Sequence, residues 1–147
     1  MLRTSLIASV FAMAACGGAN SQIEVKGGDP EIAQVAGNWE GDYHGEESGR
    51  SGTVKFALEL GRHTADGQVF MGGSNTPLAI SFVSVQKGQI SGKIQPYTDP
   101  SCTCQVETEF LGNFSGNEID GTFTTKVVAN GAEQHGTWKV TRAAASE

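Results

Sequence analysis

The chain has 147 residues, with 10 Lys and Arg against 16 Asp and Glu for a formal charge of −6, and that length supports one domain. An acidic chain with no Lys/Arg cluster lacks the positive field that nucleic-acid phosphates or anionic lipid headgroups require. Its 20 glycines, 38% apolar residues and abundant Thr and Ser point to an all-β fold.

Residues 1–15 have the layout of a secretory signal peptide. Arg3 gives a basic start, Leu6 to Ala12 a short apolar core, and Met13-Ala14-Ala15 a small-residue exit. The apolar run is about half of the roughly 20 residues a spanning helix needs. Met13-Ala14-Ala15-Cys16 resembles the lipobox of bacterial lipoproteins, which implies that Cys16 is lipidated and holds the chain to a membrane. The alternative is ordinary cleavage after Ala14, on the A-x-A pattern Ala12-Met13-Ala14. That would leave Cys16 as a stray thiol in an oxidising compartment. Gly17 rather than Asp follows the cysteine, which in that family implies the outer membrane. The expected address is the cell envelope, with the domain in the periplasm or at the cell surface.

Residues 16–34 are expected to hold the lipidated cysteine, a glycine-rich tether and a short helical turn. Ile23 and Val25 can pair as a short strand, but a linker is the preferred reading. Asp29 is the expected N-cap, with Pro30 at the first helical position and Glu31 in the first turn. About two turns fit before Gly37.

Residues 35–142 alternate with period two. Val54, Phe56 and Leu58 oppose Lys55, Ala57 and Glu59; Ile119, Gly121, Phe123 and Val127 oppose Asp120, Thr122, Thr124 and Lys126; Trp138, Val140 and Arg142 oppose Thr137, Lys139 and Thr141. This is the mark of antiparallel strands with one buried and one wet face. The wet face carries charges such as Glu40, Lys93 and Glu109, where a transmembrane barrel would show an apolar band. Asn130-Gly131 is a type I′ hairpin sequence, and Asp66-Gly67, Lys87-Gly88 and Gly116-Asn117 are weaker turn signals. The four prolines, Pro30, Pro77, Pro96 and Pro100, are expected outside the strands. About eight strands result, near 36–44, 53–61, 67–72, 78–86, 89–95, 103–111, 118–128 and 133–142. Their short connections predict an eight-stranded antiparallel up-and-down (meander) barrel. Residues 143–147 are expected to be a disordered tail.

Gly37, Gly41, Gly92, Gly121 and Gly136 fall on the inward face beside Trp39, Tyr43, Ile94, Phe123 and Trp138. Small and large residues in alternation fit the taper of a filled barrel; the other reading is that the glycines open a ligand cavity. Large side chains crowd the same face, among them Leu60, Ile80, Phe82, Ile90 and Phe110. Gly37-Asn38-Trp39, after the helical turn, resembles the G-x-W opening of lipocalins and their calycin relatives. That resemblance implies closure of one barrel end by Gly37, Trp39, Trp138 and Arg142, the arginine packing on the opening tryptophan.

Cys102 and Cys104 share a strand face. An internal disulfide, buried free thiols and a metal site are the three readings, and export favours the disulfide. The metal reading needs further ligands, but His44, His63 and His135 are isolated and form no metal-binding pattern. No nucleophile motif, phosphate loop or dinucleotide fingerprint occurs. Glu46 and Glu47 are adjacent loop acids of the kind that is usually solvated. No catalytic residue, metal or cofactor is expected. The expected function is a non-catalytic binding module for a small apolar ligand, seated near whichever of the segments 44–52, 71–77 and 96–102 share an open end. The alternative is a protein-binding lipoprotein, an inhibitor or envelope-assembly partner.

Overall fold

The computed structural model describes residues 23–58, 64–72 and 76–144. The signal segment with Cys16, the positions of Leu60 and His63, and the last three residues of the tail lie outside them, as does the side chain of Phe82. Among the described residues the chain forms β1 (Ile23–Lys26), α1 (Asp29–Val35), β2 (Gly37–Gly45), β3 (Ser51–Leu58), β4 (Thr64–Met71), β5 (Pro77–Gln86), β6 (Gln89–Asp99), β7 (Cys104–Ser115), β8 (Glu118–Val127) and β9 (Glu133–Arg142).

Strands β2 to β9 are a meander in which each pairs antiparallel with the next. β9 returns to β2, with Trp39 opposite Arg142 and Tyr43 opposite Trp138, and the sheet closes as a barrel. Closure pairs the strands that would otherwise be exposed edges. The alternating faces are as the sequence pattern predicts: Trp39, Val54, Leu58, Ile119, Trp138 and Val140 are buried inside. Outside, cross-strand pairs join Lys55 to Glu40 at 2.8 Å, Lys93 to Glu109 at 2.5 Å and Lys139 to Glu118 at 3.1 Å. Such exposed pairs add little stability but oppose a register slip.

The inward glycines seat rings. A Cβ on Gly121 would lie 2.2 Å from Nε1 of Trp138, and one on Gly136 would lie 2.2 Å from Cζ of Phe123. At these positions the space left by the missing side chain is taken by an aromatic neighbour, which favours the filled interior over a cavity opened by glycine.

Three details differ from the sequence expectation. Ile23–Lys26 is a strand, not part of a tether. β4 and β5 pair only at Gln68–Phe70 and Pro77–Ala79, beside their connection, and then part. β1 enters the gap, antiparallel to β4 at Ile23 and Glu24 and parallel to β5 at Val25 and Lys26. Ile23 and Val25 are buried, which no solvated linker achieves. The helix N-cap is Gly28, in extended conformation, and Asp29 is already helical. Glu31 reaches back to accept the Gly28 N–H at 3.1 Å and also accepts the Lys87 N–H at 2.9 Å, so the cap doubles as a tie to the β5–β6 turn. Pro77 is the first residue of β5, and Pro96 lies within β6, where the pairing to β7 shifts register between Ile94 and Tyr97; a strand's first residue and an irregularity are where a strand tolerates proline.

Candidate functional site

One end of the barrel is sealed by α1. Val35 and Ile32 are buried against the strands. The Trp39 indole N–H donates to the Val35 carbonyl at 2.9 Å, and its ring stacks on Phe56 with centroids 6.0 Å apart. Helix C-termini leave carbonyls without intrahelical partners. α1 has no basic residue in its last turn; Arg142 supplies the charge from β9. Its guanidinium donates to the Gln34 carbonyl at 2.8 Å and to the Ala36 carbonyl, while its centre lies 4.5 Å from the Trp39 ring centroid. Gly37, at φ +125°, passes beside that guanidinium, where a Cβ would lie 3.2 Å from Nη1. Trp138 sits higher in the barrel, its ring edge-on to Phe110 and its N–H donating to the Thr122 carbonyl at 3.2 Å. Gly37, Trp39 and Arg142 therefore meet at the closed end, while Trp138 belongs to the chamber above it.

β2, β4, β6 and β8 end, and β3, β5, β7 and β9 begin, at the opposite end. The segments 44–52 and 96–102 and the described ends of 71–77, Met71 with Gly72 and Thr76 with Pro77, thus share one rim. Behind this rim lies a cavity of about 80 Å³, to whose wall every one of the nine strands contributes. Its deeper wall is apolar, with Phe56, Leu58, Val83, Ile90 and Ile94. Toward the rim it becomes hydroxylic. Thr108 and Thr125 are buried, with their hydroxyls 2.8 Å apart, and Tyr97 lines the same wall. Tyr43 completes the collar, edge-on to Phe123. Burial pushes the Tyr43 and Tyr97 phenols up, so both remain neutral donors. A second recess of about 30 Å³, lined by Arg50, Met71 and His135 among others, shares Tyr43, Tyr97, Phe123 and Thr125 with the main cavity. The same four side chains therefore stand between the two voids.

The rim is tied in two places. Arg50, just before β3, pairs with Asp99 at the end of β6 and donates to the Ser101 hydroxyl at 2.6 Å. Asp99 is 2% exposed. Burial pushes its carboxyl up. The Ser101 amide, the Arg50 guanidinium and the Ser101 hydroxyl outweigh that and hold it below its usual 3.8. Cys102 and Cys104 are joined as a disulfide, with Cα atoms 5.1 Å apart. Cys102 lies in the turn rather than on a strand, and Thr103 between them takes φ +52°, so the pair is closer than two residues of an extended strand. Thr103 N–H donates to the Asp99 carbonyl at 2.7 Å, which fixes the loop that carries Asp99. On the other side Glu47 accepts the His135 N–H at 2.7 Å and meets its Nδ1 at 3.0 Å. The hydrogen bond to Glu47 raises the His135 pKa, and the bonds from His135 lower that of Glu47. Glu47 is thus a tie across the rim rather than a merely solvated acid.

Of the sequence candidates, Glu47 and His135 come together, whereas His44 stays on the outer face of β2. Cys16 lies outside the described residues. Among the described residues no group of three or more His, Cys, Asp or Glu could hold a metal, and no helix is long and apolar enough to cross a membrane. Sequence reasoning missed Arg50, Asp99, Tyr97, Thr108 and Thr125 as site residues. The threonines carried a signal, being hydroxylic side chains on the inward face of β7 and β8. Comparison with protein-family models, curated proteins and solved structures finds no match to this chain.

Proposed function

We propose that this chain is a non-catalytic binding module of the cell envelope, anchored through a lipid on Cys16, whose barrel takes a small apolar ligand through the rim formed by residues 44–52, 71–77 and 96–102. The observation that carries the reading is the chiefly apolar cavity of about 80 Å³ that shares four lining side chains with the rim recess. Ligand pockets of this kind are apolar with a few convergent polar groups. The volume is about half that of an engineered apolar cavity of ~150 Å³ that admits benzene. Only a small body, or the end of a longer one, enters without side-chain movement. The signal layout ending in Met13-Ala14-Ala15-Cys16 supports the envelope address, and the G-x-W opening with its packed arginine supports a calycin-like ligand barrel.

Native mass spectrometry of protein purified from envelopes tests the binding reading. A retained apolar molecule is the expected result. A clean apo mass together with specific capture of one envelope protein would overturn it in favour of an inhibitor or assembly partner. The anchor is tested separately: Cys16→Ser should move the protein from the membrane to the soluble fraction, and unchanged partitioning would refute lipidation.

A further inference from the structure

We propose that the Cys102–Cys104 bridge is an exchangeable disulfide, a site that takes two electrons from thiols while the barrel stays folded, and not a staple of the fold. This goes beyond the binding reading and does not depend on it. The bridge holds together nothing that the sheet leaves apart. It closes a loop around one residue, at a sequence separation of 2. A disulfide stabilises a fold mainly by restricting the unfolded chain, and the shortest loops restrict it least. The strands on either side are joined without it: Asp99 pairs with Cys104 and Thr98 with Gln105 in the β6–β7 ladder.

The cost of the bridge is concentrated at Thr103. Its φ of +52° lies in the left-handed region, which a β-branched residue enters only under constraint. Two constraints act there. The bridge holds the flanking Cα atoms 5.1 Å apart, and the Thr103 N–H donates to the Asp99 carbonyl at 2.7 Å. Opening the bridge removes the covalent one and lets the backbone relax, so reduction releases strain that oxidation stores. The bridge is also within reach of a partner: Cys102 and Thr103 are exposed and Cys104 is half-buried, in the turn at the rim. Strained or exposed disulfides are the reducible ones. In the exchange a thiolate attacks Sγ of Cys102, the more exposed cysteine. A new S–S bond forms, the Cys102–Cys104 bond breaks, and Cys104 leaves as a thiolate that takes up a proton. A second thiolate attacks the incoming sulfur of the mixed disulfide and frees Cys102, which is protonated in turn. Two thiols are thereby oxidised to one disulfide, and the bridge is reduced to two thiols.

The probe is glutathione. The purified mature protein is equilibrated at neutral pH with mixtures of reduced and oxidised glutathione, quenched with acid and alkylated, and the mass of the peptide carrying Cys102 and Cys104 is measured. The bridge is expected to open in the native protein, without denaturant, as the mixtures become reducing, where a structural disulfide resists the same thiol. The amide NMR spectrum of the reduced protein should keep the dispersion of the folded barrel, with shifts confined to the residues around the turn. Thr103→Asn tests the source of the reactivity, because asparagine tolerates the left-handed region. Its bridge should resist glutathione about fivefold more strongly at equilibrium. Three results would each overturn the proposal: a bridge that stays closed in reduced glutathione until denaturant is added, loss of the barrel on reduction, or a Thr103→Asn bridge reduced as readily as the parent's.

Discussion

Trp39 concentrates more of the closed end than any other side chain. It is 1% exposed, stacks on Phe56, meets Phe114 edge-on at 6.0 Å, carries the Arg142 guanidinium and binds the Val35 carbonyl. Truncating a buried aromatic forfeits its transfer free energy and leaves a cavity that neighbours fill only in part. Trp39→Ala should cost about 3–5 kcal/mol in chemical denaturation. A cost below about 1 kcal/mol would mean that the closed end does not depend on this packing. Trp39 and Trp138 stood out in the sequence because period-two alternation assigns a face without knowledge of the partner strand. Arg142 stood out because it is a charge on that inward face. What it does there was not legible. The helix carbonyls it satisfies lie 106 and 108 residues away, and no local pattern links them. Arg50 and Asp99 were illegible for the same reason: both sit where strands give way to turns, 49 positions apart, and only barrel closure brings them together.

Between residue and molecule, β1 is the element whose role was hardest to foresee. Four residues in a glycine-rich stretch carry little strand signal. Their partners exist only because β4 and β5 separate beyond Gln68 and Ala79. The separation coincides with a register shift in β5 between Ile80 and Phe82, which moves Val83 and Val85 onto the buried face. Alternation read straight through β5 does not reveal such a shift, since one irregular residue reverses every face beyond it. β1 thus supplies the missing backbone partners and plugs the seam with Ile23 and Val25. Val25 is 1% exposed, so Val25→Ala should cost about 2 kcal/mol. It should also speed amide exchange around Thr64, Ala65, Val83 and Ser84 relative to the β7–β8 pair. Uniform exchange across the barrel, or a cost under about 0.5 kcal/mol, would show β1 to be an appendage rather than part of the wall.

At the scale of the whole barrel, the two ends differ in kind. One is sealed by a helix whose carbonyls and cap are bound to the strands. The other is a rim of hairpins held by polar ties over an apolar chamber. Burial dominates at the first end, so apart from the exposed Glu31 cap, whose carboxyl the Lys87 and Gly28 N–H groups hold below its usual range, it should be nearly indifferent to pH. The second end should not be, because Asp99 is buried and ionised against Arg50. A carboxyl whose folded pKa lies below its ordinary 3.8 adds stability above that value and loses it as the pH falls through the folded pKa. Removing the guanidinium should reverse the balance: burial is then opposed only by Ser101, and Asp99 titrates at higher pH than in the parent. Arg50→Met leaves the stem but strands the carboxylate. Breaking a fully buried pair costs about 3–5 kcal/mol. Arg50 is 28% exposed and screened, so about 2 kcal/mol is expected at pH 7. As the pH falls, Asp99 protonates first in the variant, which then no longer strands a charge, while the parent keeps its ion pair until the pH passes through its lower folded pKa. Denaturation curves at pH 7 and at about pH 3 should therefore show the gap between the two proteins narrowing from about 2 kcal/mol. A gap that stays constant between these two pH values would assign the Arg50 contribution to packing of its stem instead of to the Asp99 charge.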